Sequence, residues 1–254
     1  MNKHRILRRL TKASRFLYNV GRYGIGPPAR EKKKAAKAKR REAAFLDPET
    51  WQHDAAGSRR VYDSYEQYVQ HQGAKLDEIL PRLREKEDED LAEFKRRFAT
   101  CPQLKEARNV LCLGARMGTE IKALHGLGYF AVGIDLNPGE ANPYVLPGDF
   151  HAIVFPDGSL DAIYTNALDH AFALERVMSE VRRLLRPNGL FIVDLLQGYE
   201  EGFVPGEYES MIWRDQKKFL EGIRDLGGLT IAGVRDLGRK RRDVWTQAVF
   251  RKPA

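Results

Sequence analysis

The residues best suited to chemistry lie between positions 109 and 137. Val110 to Leu113 is a short apolar run that ends at Gly114, and Gly118 follows with Arg116 between the two glycines. Such a run reads as a buried parallel strand, and paired glycines allow a tight turn after it. Thr119 and Glu120 then open a helix on which Ile121, Leu124 and Leu127 recur at helical spacing, with Gly128 as its stop. Tyr129 to Ile134 is a second apolar strand, and Asp135 stands at its carboxyl end. Strand, glycine turn, helix, strand and acid form a βαβ nucleotide-binding half. Missing side chains let the backbone approach a ligand, and the helix N-terminus offers free N–H donors. The acid can accept hydrogen bonds from two ribose hydroxyls.

A dinucleotide fingerprint needs a glycine at position 116, where this chain has Arg. The stretch instead resembles the first motif of the S-adenosylmethionine-dependent methyltransferases with a Rossmann-like fold, the type 11 group in particular. Three later segments extend the resemblance. They are Gly148-Asp149-Phe150, the run Phe155 to Tyr164, and the run Arg183 to Val193 with its Pro187-Asn188-Gly189 turn. It covers about residues 106 to 254. It implies S-adenosylmethionine as cofactor, held by Gly114, Ala115, Arg116, Gly118, Glu120, Asp135, Leu136, Asp149, Phe150 and Asn166. Asp149 would bond the adenine amino group, Phe150 would flank the ring, and no metal is implied. Two positions depart from the family pattern. Cys112 stands where an acid usually meets the methionine ammonium, and Arg116 replaces the middle glycine. Glu120 could supply the missing acid, or could simply suit the helix dipole.

After the expected fourth strand, Leu160 to Thr165, come Asp169 and His170, where open α/β sheets place ligands. His170 is a candidate general base, since histidine titrates near about pH 6.5, with Asp169 as the alternative. In the competing reading Asp169 caps the next helix and His170 is merely its first residue.

The elements around these residues point to a doubly wound α/β sheet of seven strands, mostly parallel, with an N-terminal helical extension. The family resemblance makes the last strand antiparallel. Three segments are expected: a basic helical tail over 1–57, a helical lid over 58–105 interrupted at Pro81, and the Rossmann-like domain over 106–254. On the lid, Tyr62, Tyr65 and Tyr68 are either cofactor-covering or packing residues. The run 85–90, five acids and one lysine, reads as a solvated helix face. Further expectations are a helix from Arg186 backwards through Leu174, an acceptor-shaping loop over 197–206, and a helix through Met211, Ile212, Phe219 and Ile223. Strands over 229–234 and 244–250 complete the sheet, the second reading as an edge-paired strand.

Charge is segregated. Residues 1–45 carry a net +13 within a chain of net +8, which leaves the remainder at −5. Basicity therefore describes what the tail touches, not the pocket. Residues 3–20 read as an amphipathic basic helix, and 31–45 as a second, more solvated one. Such a tail suits an anionic membrane surface, and RNA is the rival partner. Two cysteines without a disulfide framework suit a reducing compartment. No apolar run approaches the roughly 20 residues of a span, and no secretory apolar core is evident. The expected location is cytoplasmic, with peripheral contact at the inner membrane surface.

Together these features favour methyl transfer, most simply to an oxygen of a sugar, glycan or other small molecule. RNA methylation and a non-catalytic S-adenosylmethionine-binding or scaffold role are the alternatives. The oligomeric state is not legible.

Overall fold

A computed structural model describes residues 29–54, 57–240 and 243–254. The helix expected over 3–20 lies outside these residues. The chain divides into two compact units, Met1–Asp47 and Pro48–Ala254. In the first, α1 (Ala29–Leu46) occupies the segment expected as the second basic helix.

The second unit is built on a seven-stranded sheet. Its strands are β3 (Asn109–Leu113), β4 (Phe130–Asp135), β5 (Val145–Pro147), β6 (Leu160–Thr165), β7 (Leu185–Leu196), β9 (Thr230–Lys240) and β10 (Asp243–Arg251), in the spatial order β5-β4-β3-β6-β7-β10-β9. Neighbours from β5 to β7 are parallel, and β10 is antiparallel to both β7 and β9. The order reverses at β3: β4 and β5 lie to one side of it, and the chain then crosses back to place β6 and β7 on the other. A crevice forms there at the strands' carboxyl ends. Leu111, Cys112 and Ile163 are fully buried in the central strands, as apolar runs in a parallel sheet require.

Several expected boundaries shift. β10 is not at the sheet edge: it lies between β7 and β9, and its residues 246–250 are all buried. β7 starts at Leu185, so the expected Pro187–Gly189 turn is a bulge inside a strand, with Asn188 at φ 63°. Helix α3 (Thr119–His125) ends before Leu127, which stays part exposed.

Residues 51–53 and 57–60 are strands, where the tail and lid helices are expected. β1 (Trp51–His53) and β2 (Gly57–Arg60) make a hairpin, and β2 pairs with β8 (Met211–Trp213) in a second, three-stranded antiparallel sheet. Met211 and Ile212 therefore belong to a strand, and α5 (Gln216–Gly227) begins only after Asp215, whose side chain accepts from Lys218 N. The lid helix α2 runs unbroken over Tyr65–Ala99, straight through Pro81. It opens at Ser64, whose hydroxyl accepts from Gln67 N at 3.2 Å, so Val61 and Tyr62 precede it. α2 packs on α3, and α4 (Leu174–Leu184) packs on α5. Leu174, Val177, Val181 and Leu184 form the buried face of α4, as their spacing predicts.

Candidate functional site

The turn after β3 is shaped by steric need. Gly114 has φ 69°, and a Cβ there would lie 2.7 Å from the Ala167 side chain. Gly118 has φ 76°, and its Cβ would meet Tyr144 at 2.7 Å. Both positions exclude larger residues. Arg116 takes φ 43°, so it occupies the left-handed region although it is not glycine. Asn142 Nδ2 holds that strained position by donating to the Arg116 carbonyl at 2.9 Å.

Asp135 is set by the same turn. Its Oδ2 accepts from Arg116 N at 3.0 Å and its Oδ1 from Asn137 N at 2.9 Å. Burial pushes its carboxyl above the usual range, against these two N–H groups. Asp135 also lines a cleft. Gly114, Asp135, Leu136, Phe150 and Ala167 form its sheet side. Tyr68, Gln72, Lys75 and Leu76 of α2 form its lid side.

A second, larger cleft adjoins it. Glu120, Asn166, Asp169 and Glu209 line it on one side, and Arg82, Glu93 and Arg97 of α2 on another. Ala115 and Trp245 also face it. Gly114, Arg116, Lys75 and His170 line both clefts and so mark their junction.

The structure thus gathers Gly114, Ala115, Arg116, Glu120, Asp135, Leu136, Phe150, Asn166, Asp169 and His170 around two joined clefts. Gly118 shapes the turn without lining either. Asp149 lines neither: its carboxylate accepts from the Tyr65 hydroxyl, from His151 N at 2.8 Å, and pairs with His151 Nδ1 at 2.7 Å. Against the upward push of burial, these partners hold Asp149 below the usual carboxylate range. Of the lid tyrosines, Tyr68 lines the smaller cleft. Tyr62 is tied to Ser210 Oγ at 2.8 Å. All three rings pack around Phe172, so the aromatic face is both cover and core.

The capping alternative for Asp169 falls. Leu168–His170 is a separate 3₁₀ turn, and the N-cap of α4 is Ala173. Asp169 is buried, and burial together with Glu209 pushes its carboxyl up to about 7. His170 Nδ1 lies 2.8 Å from the Tyr208 carbonyl, which can only accept, so the ring proton sits on Nδ1. Nε2 is then the acceptor, and Lys75 Nζ reaches it at 2.6 Å. Arg116 Nη2 stands 3.4 Å from the same atom. Burial, Lys75 and Arg116 hold His170 well below its ordinary value, so the ring is neutral.

Glu120 is 6 % exposed, and burial pushes its carboxyl up to about 8. Cys112 lies wholly inside the core with its thiol pushed up by burial and by Glu120. It reaches no cleft, so Glu120 is the acid available at this end of the turn. The glycine cradle, the preset Asp135 carboxylate and the apolar flanks Leu136 and Phe150 fit an adenosine. Glu120 fits an ammonium beyond it.

Residues 111–193 match a family model described as a methyltransferase domain. This stretch, about a third of the chain, reads as part of a methyltransferase domain. The same architecture recurs in 1,6-didemethyltoxoflavin-N1-methyltransferase of Burkholderia thailandensis, solved with its substrate and S-adenosylhomocysteine. That match has a TM-score of 0.61 at 15% identity and covers 80% of this chain and 99% of that one. A chain of the complex between the Haloferax volcanii Trm112 methyltransferase activator and a methyltransferase gives 0.59 at 20% identity, covering 72% and 98%. At these identities the likeness establishes the fold. Among curated sequences, two sterol 24-C-methyltransferases of Gibberella zeae are similar over short segments. One is 53% identical over 45 residues and the other 39% over 100 residues. These segments span 17% and 36% of this chain, and only 12% and 24% of those proteins' lengths.

Proposed function

We propose that this chain transfers a methyl group from S-adenosylmethionine to an oxygen of a small polar acceptor, a sugar or glycan being the simplest case. The observation that carries this reading is the pairing of two clefts at the sheet's carboxyl end. One is suited to adenosine, and the other, larger one is lined by ionic side chains of both signs. The cofactor brings an already activated methyl group, so the protein's task is alignment. Asp135 would hold the ribose hydroxyls, Leu136 and Phe150 would flank the adenine, and Glu120 would meet the ammonium. α2 covers the cleft and excludes water. The acceptor would lie among Arg82, Glu93, Arg97 and Glu209, partners for hydroxyl groups rather than for a sterol skeleton. An RNA backbone would call for a cationic track, and this cleft mixes signs. The basic tail we assign to an anionic surface.

The test is calorimetric titration with S-adenosylhomocysteine, then turnover with S-adenosylmethionine on panels of polyols and glycans. Asp135→Ala removes up to two charge-assisted hydrogen bonds worth about 1.5–3 kcal/mol each, so affinity should fall by roughly tenfold or more. Unchanged affinity would refute the ribose assignment. Binding without turnover on any acceptor would favour the non-catalytic alternative.

A further inference from the structure

Among the described residues, Lys75 is the lysine that lines both clefts at their junction. It is only 9% exposed, and its Nζ rests on His170 Nε2 rather than on a carboxylate. The groups facing it come from every surrounding element: Arg116 from the turn after β3, Asp135 from β4, Asp169 and His170 from the 3₁₀ turn, Glu209 from the segment before β8. The Tyr208 ring lies 5.5 Å from Nζ. His71, from the same helix, stacks on that ring.

The methyl group must pass from one cleft to the other, and so crosses this junction. His170 cannot be the group that takes the acceptor's proton while its single free lone pair is engaged by Lys75. We propose that Lys75 is the proton acceptor of this site, presented by His170 as a neutral amine beside the methyl-bearing centre. This rests on the methyltransferase reading above. The step balances: the acceptor oxygen forms its bond to the methyl carbon, the carbon–sulfur pair returns to sulfur, and the O–H proton moves to Lys75 Nζ. The resulting ammonium is held by His170 Nε2 and faces the carboxyls of Asp169 and Glu209.

The environment already brings the neutral amine within reach, since burial and Arg116 bring Lys75 down to about 7. A cationic sulfonium alongside must lower it further, whereas the uncharged thioether product must not. Lys75 should therefore give up a proton when S-adenosylmethionine binds and not when S-adenosylhomocysteine binds.

The experiment is titration of the full chain with each ligand near pH 7, in two buffers of different ionisation enthalpy. The dependence on buffer gives the protons released. The expected result is about half a proton more for S-adenosylmethionine than for S-adenosylhomocysteine, the fraction protonated near the midpoint. Lys75→Met should abolish the difference while both ligands still bind. Lys75→Arg keeps the charge and should weaken S-adenosylmethionine at least about tenfold relative to S-adenosylhomocysteine. Equal proton release from the two ligands, or a difference that survives Lys75→Met, would overturn the proposal. If neither ligand binds the unmodified chain, the cofactor reading itself fails, and the proposal with it.

Discussion

Asp194 offers the sharpest test of how the lid is fastened. It is an acid within the apolar run of β7 and is 1% exposed. Its Oδ2 accepts from Arg97 Nη1 at 2.9 Å and from the Tyr164 hydroxyl at 2.8 Å, and its Oδ1 accepts from Gln247 Nε2 at 2.7 Å. One carboxylate thus joins α2, β6, β7 and β10. Asp194→Leu would leave a buried guanidinium and two buried neutral donors. Breaking one side of a buried ion pair costs about 3–5 kcal/mol, and each stranded donor about 1–3 kcal/mol, not additively. Glu93 Oε1 still accepts from Arg97 Nε at 2.8 Å, which keeps the net near the lower value. A loss of about 3–5 kcal/mol corresponds to a melting temperature lower by roughly 6–20 °C in a domain of this size. Thermal and urea unfolding of the single variants and of the double variant Arg97→Met/Asp194→Leu measure it. The double variant should be more stable than Asp194→Leu alone, because it removes the orphaned cation. An Asp194→Leu protein within about 1 kcal/mol of the parent, or a double variant no better than that single, would refute the reasoning.

Two further outcomes are expected. Glu120 has an ordinary value of 4.5 and is pushed up to about 8 in the fold, so the folded chain binds more protons between those limits. Stability should therefore fall as pH rises through that window, by up to about 1.4 kcal/mol per pH unit. Glu120→Gln should flatten the slope of urea midpoints between about pH 5 and about pH 8, and an unchanged slope would remove Glu120 from the account. Deleting residues 1–45 should abolish sedimentation with anionic vesicles and leave the body's melting temperature and S-adenosylhomocysteine affinity near the parent values. Persistent vesicle binding, or a truncated chain that does not fold, would contradict the surface assignment.

The central βαβ unit was readable because its strands are apolar on both faces and its turn demands glycine. β6 matches its expected span residue for residue, since Leu160 to Thr165 is bracketed by a turn and a cavity rim. Met211 and Ile212 were misread because the spacing to Phe219 and Ile223 fits a helix, and only pairing with β2 makes them a strand. β1, β2 and β8 are too short to show a period. Pro81 was read as a break, yet the packing of α2 on α3 carries the helix through it. The junction residue Lys75 left no sequence signal, because one lysine on a charged amphipathic helix looks solvated. Asp194 did leave one: an acid inside Leu190 to Leu196 has nowhere to go but a buried partner.

Both clefts share a single wall. Tyr68 to Leu76 of α2 face the smaller one, and Arg82 to Arg97 face the larger, along a helix of about 50 Å by its rise per residue. The two stretches flank Pro81, where the ladder lacks an N–H donor. This wall is pinned at both ends, by Asp149 under Tyr65 and by Asp194 under Arg97, and so it ties the two clefts together. On the methyl-transfer reading proposed above, a shared wall predicts an ordered cycle, the nucleoside entering before the acceptor and leaving after the methylated product. Product inhibition by S-adenosylhomocysteine is then competitive with the cofactor and mixed with the acceptor.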